Sequence, residues 1–209
     1  DNDRFNIVSY SNRVNYFSSE MKAYSKKSRD EAIDYVNMLN SGGGTNIDGA
    51  LQESMEMFSN TERPNYIIFL TDGLPTVGNT NEMIIAKNAG NANKAKAKVF
   101  CFGVGYNVNA RLLDRLSNEN SGLTEYVKPN ENIETAVADF YKGISAPVLS
   151  NISIATSLDG ISETYPKNIP DLFQGRQLIW TGRYRETGKA TLIIKGNIGN
   201  KKQTYEYGV

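Results

Sequence analysis

Two runs, "NYIIFL" at 65–70 and "KVFCFGVG" at 98–105, are apolar almost throughout and are separated by a stretch of helical periodicity. A strand with one wet face alternates in character; a strand apolar on both sides needs cover on both, which a parallel sheet wound with helices supplies. "RFNIVSY" at 4–10 and the shorter "LTEYV" at 123–127 extend the series, so strand and helix patterns alternate from Arg4 to about residue 144. That order predicts crossover units and a mostly parallel, doubly wound α/β sheet. "RVNYF", after Ser11-Asn12, reads as a hairpin return from the first strand.

The helices between the strands carry their own start signals. Ser28-Arg29-Asp30-Glu31 has the form of a capping box, with Ala32, Tyr35, Val36 and Leu39 following on one face. Ile47, Ala50, Leu51, Ser54, Met55 and Phe58 form the next stripe, which Pro64 helps to close. Thr80 and Asn109 are expected to cap two further helices, and Asn130 or Asn132 the last, which carries Ile133, Val137, Phe140, Tyr141 and Ile144.

Near Ala146-Pro147 helical spacing gives way to alternation, so the sequence divides into an α/β unit over 1–146 and a β unit over 147–209. "SNISIAT", "QLIWTGRY" and "KATLIIKG" read as strands between turn clusters that include Glu186-Thr187-Gly188 and Asn197 to Asn200. Leu178, Trp180, Gly182 and Tyr184 are expected on one face of their strand. The chain opens directly on a strand without Met and stops on another, "TYEYGV", so both units read as parts of something longer.

Composition removes several function classes. The 209 residues contain no histidine, which excludes histidine-triad hydrolysis and removes the commonest zinc and copper ligand. Lys plus Arg and Asp plus Glu are 23 each, so no net field points to nucleic acid or anionic membrane. No apolar stretch approaches the roughly 20 residues of a spanning helix. Cys101 cannot form an internal disulfide and lies inside an apolar run, where an inert buried thiol is expected.

What remains is a pair of polar punctuations. Gly42-Gly43-Gly44-Thr45 precedes the Ile47 helix, and Thr71-Asp72-Gly73 closes "NYIIFL". In a doubly wound sheet, strand carboxyl ends and helix amino ends meet along one rim, where ligands bind. The Thr45 hydroxyl and the Asp72 carboxylate are hard donors suited to Mg²⁺, Mn²⁺ or Ca²⁺. Thr45 as a simple N-cap and Asp72-Gly73 as a simple turn are the competing readings. A phosphate-loop reading of "GGGT" lacks the required lysine.

"RFNIVSYSNRV", "GGGTNIDGAL", "IIFLTDGLPTVG" and "VFCFGVG" resemble consecutive segments of a von Willebrand factor type A domain. "YPKNIPDLFQGRQLIWTGRY" is similar to the region that follows that domain in inter-alpha-trypsin inhibitor heavy chains and their bacterial relatives. The resemblance implies a Rossmann-like sheet with a metal-ion-dependent adhesion site on its rim, Thr45 and Asp72 matching two of the ligands. The family's other three ligands come from an Asp-x-Ser-x-Ser loop after the first, central strand, and no such loop is present here. The expected fold is therefore that α/β sheet without its central first strand and the helix after it, followed by a small, incomplete antiparallel β-sandwich unit. With one carboxylate and one hydroxyl against the roughly six oxygens of an octahedral ion, the site should be empty or weakly occupied. Either "RFNIVSY" pairs directly with "NYIIFL", or another chain fills the gap.

By the same resemblance, the function is non-enzymatic: a protein-binding, adhesion-type module whose ion keeps a position open for a partner's acidic side chain. Gly44, Asn46, Gly73 and Leu74 would surround it as ligand-binding rim residues. Self-association through the unpaired sheet edge and an extracellular, cell-surface or periplasmic location are further expectations. A metal-independent scaffold is the first alternative, and a metal-assisted hydrolase using Asp72 as ligand or base is the second; it needs a second carboxylate or base on the same rim, and Asp48, near in sequence, reads at a helix start as an acid serving the dipole.

Overall fold

The computed structural model describes residues 3–59, 64–144, 147–185, 187–199 and 201–209. In chain order the elements begin with β1 (Arg4–Phe5), β2 (Val8–Tyr10), β3 (Val14–Tyr16), β4 (Lys22–Ala23), α1 (Lys26–Asn37), α2 (Ile47–Glu56) and β5 (Tyr66–Thr71). They continue with α3 (Glu82–Ala92), β6 (Lys98–Val104), α4 (Ala110–Glu119), β7 (Thr124–Val127) and α5 (Ile133–Ile144). The β-rich remainder comprises β8 (Pro147–Thr156), β9 (Ser162–Tyr165), β10 (Leu172–Phe173), β11 (Thr181–Arg183), β12 (Thr191–Ile198) and β13 (Lys201–Gly208).

The two apolar runs become β5 and β6, paired in parallel from Tyr66 opposite Lys98 to Thr71 opposite Gly103, with β7 parallel on the far side of β6. Successive side chains of β6 enter opposite faces. Val99 and Cys101 pack under α2, α3 and α4, against Ile47, Leu51, Met55, Ile85, Leu112, Leu113 and Leu116. Phe100 and Phe102 enter the other core, with Val127, Phe140 of α5 and Phe173. A central strand covered on both faces explains the unbroken apolar run.

Phe173 belongs to the β-rich part yet is buried against Phe100, ring centroids 5.8 Å apart. Beside it the Lys98 ammonium pairs with the Asp171 carboxylate, which also accepts the Asn151 amide N–H at 3.0 Å. Arg176 reaches Glu125 at 2.8 Å and lies over the Phe140 ring. The segment 171–176 thus seats the β-rich part on the second core. That part consists of a four-stranded sheet, β10-β8-β12-β13, and a separate β9-β11 pair.

Several local expectations are corrected. "RFNIVSY" is two short strands, because the Asn6 side chain accepts the Ile7 and Ser18 N–H groups and donates to the Ser18 carbonyl, replacing ladder bonds at the break. Helix α1 starts a turn before Ser28: Ser25 is the cap, and Ser28 is the residue that closes the box. Asn81 rather than Thr80 caps α3, accepting from Met83 and Ile84, while Asn109 and Asn132 cap as expected. Of "QLIWTGRY", only Thr181–Arg183 is strand, so Leu178 and Trp180 share no strand face with Gly182 and Tyr184. Ala146 at the expected boundary, Glu186 and Asn200 of the expected turns, and the side chain of Ile144 lie outside what the structure describes.

The gap beside β5 is also visible. Among the described residues β5 forms a ladder with β6 only, and β2 pairs with β3. Contact between β2 and β5 is made by a side chain: the Tyr10 ring stacks on Phe69 at 5.7 Å, and its hydroxyl donates to the Leu70 carbonyl at 2.8 Å. Burial pushes the Tyr10 phenol up to about 12. Ile68 and Leu70, which by alternation share the face of Phe100 and Phe102, are 36% and 43% exposed.

Candidate functional site at the sheet rim

Three chain segments meet at the carboxyl end of β5: the turn between β2 and β3, the glycine loop before α2, and residues 72–78 after β5. The glycine loop takes left-handed backbone angles at Gly42 (φ 146°) and Gly43 (φ 88°). Gly44 has no such positive φ, and a Cβ there would stand 2.3 Å from Val77 Cγ2, 2.8 Å from Asn12 Oδ1 and 2.9 Å from Thr76 Oγ1. The first two glycines serve conformation, the third close approach.

Hydrogen bonds hold the loop in place. The Gly44 N–H donates to Asn12 Oδ1, and the Asn46 N–H to the Ser11 carbonyl at 2.9 Å. The Thr45 N–H donates to Thr76 Oγ1 at 2.8 Å, and the Thr45 carbonyl accepts the Thr76 N–H at 3.0 Å and the Val77 N–H at 3.3 Å.

The cap of α2 is Asn46, whose side chain accepts the Gly49 N–H at 3.0 Å. Thr45 is therefore not the cap, and among the described residues its hydroxyl takes part in no hydrogen bond. That hydroxyl lies 3.8 Å from where a Cβ on Gly73 would stand, directly beside Asp72 in the chain. Asp72 is exposed and makes no hydrogen bond or ion pair to a described residue. Gly73 is half-buried and Leu74 is 52% exposed. Asn46, expected as a rim contact, has its amide oxygen engaged by the cap.

Asp48 does not add a second free carboxylate. It is buried at the start of α2 and accepts from the Asn88 amide at 3.1 and 3.2 Å. Among the described residues no cluster of three or more acidic, cysteine or histidine side chains could hold a metal. Thr45 and Asp72 fit a hard divalent cation in kind, but two donors leave most of an octahedral shell to water. Cys101 is fully buried, and burial pushes its thiol well up, so it brings no nucleophile. A cleft of about 490 Å³, lined by residues including Lys98, Ser121, Asn151, Lys167 and Asp171, involves none of these loops.

Asn12 and Thr76 were invisible to sequence reasoning. A hairpin-turn asparagine and a loop threonine are ordinary, and only the closure of three distant segments gives them partners. The asparagine at the turn and "PT" after "DGL" carried no periodic signal that singled them out.

The family model of the von Willebrand factor type A domain matches residues 1–142. The mouse protein "Inter alpha-trypsin inhibitor, heavy chain 4" is 27% identical over 201 residues, 92% of this chain and 21% of its own length. Human inter-alpha-trypsin inhibitor heavy chain H4 is 24% identical over 98% of this chain and 23% of its own, carrying the likeness past residue 142. The chain thus spans about a fifth of the length of these relatives.

Among solved structures, a von Willebrand factor type A protein from Catenulispora acidiphila superposes with TM-score 0.66 over 100% of this chain and 57% of that one, at 15% identity. Proximal thread matrix protein 1 of the mussel byssus, in its form with a zinc-occupied adhesion-site motif, gives TM-score 0.51 at 18% identity, covering 66% of this chain and 34% of that one. With two thirds of its residues matched by the family model and the parallel sheet, flanking helices and rim loops in place, this chain belongs to the von Willebrand factor type A domain family, a class of protein-interaction and adhesion modules.

Proposed function

We propose that the chain contributes a non-enzymatic protein-binding module, in which Thr45 and Asp72 supply oxygen ligands to a divalent cation and a partner supplies an acidic side chain. The supporting observation is the capping pattern: Asn46 caps α2, leaving the Thr45 hydroxyl without a described partner beside the Asp72-Gly73 turn. When bound, the cation would supply a hard Lewis-acidic centre bridging the two proteins. Gly44 and Gly73 would let the ligand approach the backbone, and Leu74 would offer apolar contact at its edge. Mg²⁺, Mn²⁺ and Ca²⁺ all suit this donor set, and two protein donors imply weak binding by the chain alone. The secreted character of the heavy-chain relatives supports an exported location.

Thermal melting with and without Mn²⁺ tests the reading, because an ion that binds only the folded chain must stabilise it. At ten times its dissociation constant the gain is about 1.4 kcal/mol. Thr45→Ala and Asp72→Asn should each remove the shift. An unchanged shift in both variants would move the ion elsewhere, and no shift at any Mn²⁺ concentration would favour the metal-independent scaffold. The hydrolase alternative loses ground because the Asp48 carboxylate is already held by Asn88.

The partner surface extends to the open side of β5, with Ile68 and Leu70 exposed next to it. Such an edge favours association of the chain with another copy of itself. Sedimentation velocity should show a concentration-dependent dimer that Leu70→Lys abolishes; a monomer at all concentrations would contradict this.

A further inference from the structure

We propose that Thr76 and Asn12 are positioning residues of the cation site, setting where the Thr45 hydroxyl points; this rests on the cation reading above. Three consecutive residues of the glycine loop are each tied to a different group outside it. Gly44 is tied to the Asn12 side chain, Thr45 to both the hydroxyl and the main chain of Thr76, and Asn46 to the Ser11 carbonyl.

The Thr45 clamp is reciprocal. Its N–H enters the Thr76 side chain while its carbonyl receives the Thr76 and Val77 amides, so the peptide units on both sides of its Cα are held. With the backbone fixed, the β-branched threonine has few rotamers left. Neither side-chain oxygen caps a helix or completes a ladder, and both lie against the face of Gly44 that would carry a Cβ. The 72–78 loop that supplies Asp72 also supplies Thr76, so one loop sets both ligands relative to each other.

For an ion held by only two protein donors, such support weighs heavily, since freedom in either donor must be removed on binding. Loss of groups that orient metal ligands lowers metal affinity on the order of 10–100-fold. Thr76→Val keeps the shape and removes the acceptor; Thr76→Ser keeps the acceptor and removes the methyl. Asn12→Ala acts from the opposite side of the loop.

The experiment is a Mn²⁺ titration of the whole chain, followed by electron paramagnetic resonance of free Mn²⁺, with amide exchange at Gly44 to Asn46 measured without metal. Thr76→Val is expected to weaken Mn²⁺ binding 10–100-fold and to speed Thr45 amide exchange, Thr76→Ser to restore both, and Asn12→Ala to speed Gly44 exchange and weaken Mn²⁺ binding. Wild-type affinity in Thr76→Val, or equal loss in Thr76→Ser, overturns the assignment of Thr76. Should Thr76→Val not fold, Asn12→Ala decides: unchanged affinity there overturns the inference. No Mn²⁺ binding by the unsubstituted chain, or full binding by Thr45→Ala, overturns the cation reading itself, a result distinct from anything the Thr76 variants report.

Discussion

Gly44, next to Thr45 in the chain, and Gly73, near the Thr45 hydroxyl, make opposite demands. A methyl group at Gly44 would stand 2.3 Å from Val77 Cγ2 and below 3 Å from Asn12 Oδ1 and Thr76 Oγ1, so the loop must shift. Among the described residues other than its chain neighbours, a methyl group at Gly73 meets only Thr45 Oγ1, at an ordinary 3.8 Å. Gly44→Ala should therefore cost about 1–3 kcal/mol in denaturant unfolding, as overpacking does. Gly73→Ala should leave stability nearly unchanged while weakening Mn²⁺ binding, because its methyl occupies space beside the proposed ligand hydroxyl of Thr45. Equal effects of the two substitutions on stability would contradict this geometry.

At the scale of elements, Tyr10 bridges β2 and β5. Tyr10 is raised by burial to about 12, above its ordinary value of 10.0. The folded state holds that proton more tightly than the unfolded chain, so the contribution is full below pH 10.0 and is lost as pH rises toward 12. Tyr10→Phe should lose about 1 kcal/mol at neutral pH, through the bond to the Leu70 carbonyl. It should also flatten the alkaline fall in stability between those pH values. An identical alkaline limb in the variant would show that Tyr10 is not the group responsible.

The elements that were legible are those whose own periodicity decides them. β6, covered on both faces, carries an unbroken apolar run, β5 carries another although Ile68 and Leu70 stay exposed, and α4 carries Leu112, Leu113 and Leu116, all fully buried. Asn109 announced its helix because the cap lies within three residues of the group it serves. Asn6 was not legible, since its partner is Ser18, across the hairpin. Nor was the limit of β11, because nothing local to residues 177–180 records that they lack a ladder. Within the site, Thr45 and Asp72 stood out as punctuation beside regular elements, whereas Asn12 and Thr76 act only after the chain has closed.

At the scale of the molecule, the α/β and β-rich parts share packing. Phe173 is 1% exposed within the core around Phe100, and the Lys98–Asp171 pair closes over the same region. The rim loops lie at the other end of the parallel strands, since Lys98 begins β6 and Asp72 follows β5. The same sheet is thus anchored at its amino end and left accessible at its carboxyl end. Its open β5 side, with Tyr10 as a bridge, is the surface through which a second copy of the chain is proposed to join.

The most direct measurement is the amide spectrum of the ¹⁵N-labelled chain during Mn²⁺ addition. Paramagnetic broadening falls steeply with distance from the ion. The account predicts early loss of the Gly44, Thr45, Asp72 and Gly73 signals while those of β12 and β13 persist, and no such loss in Thr45→Ala. Broadening that spares these four residues, or that begins at another acidic surface, would contradict it.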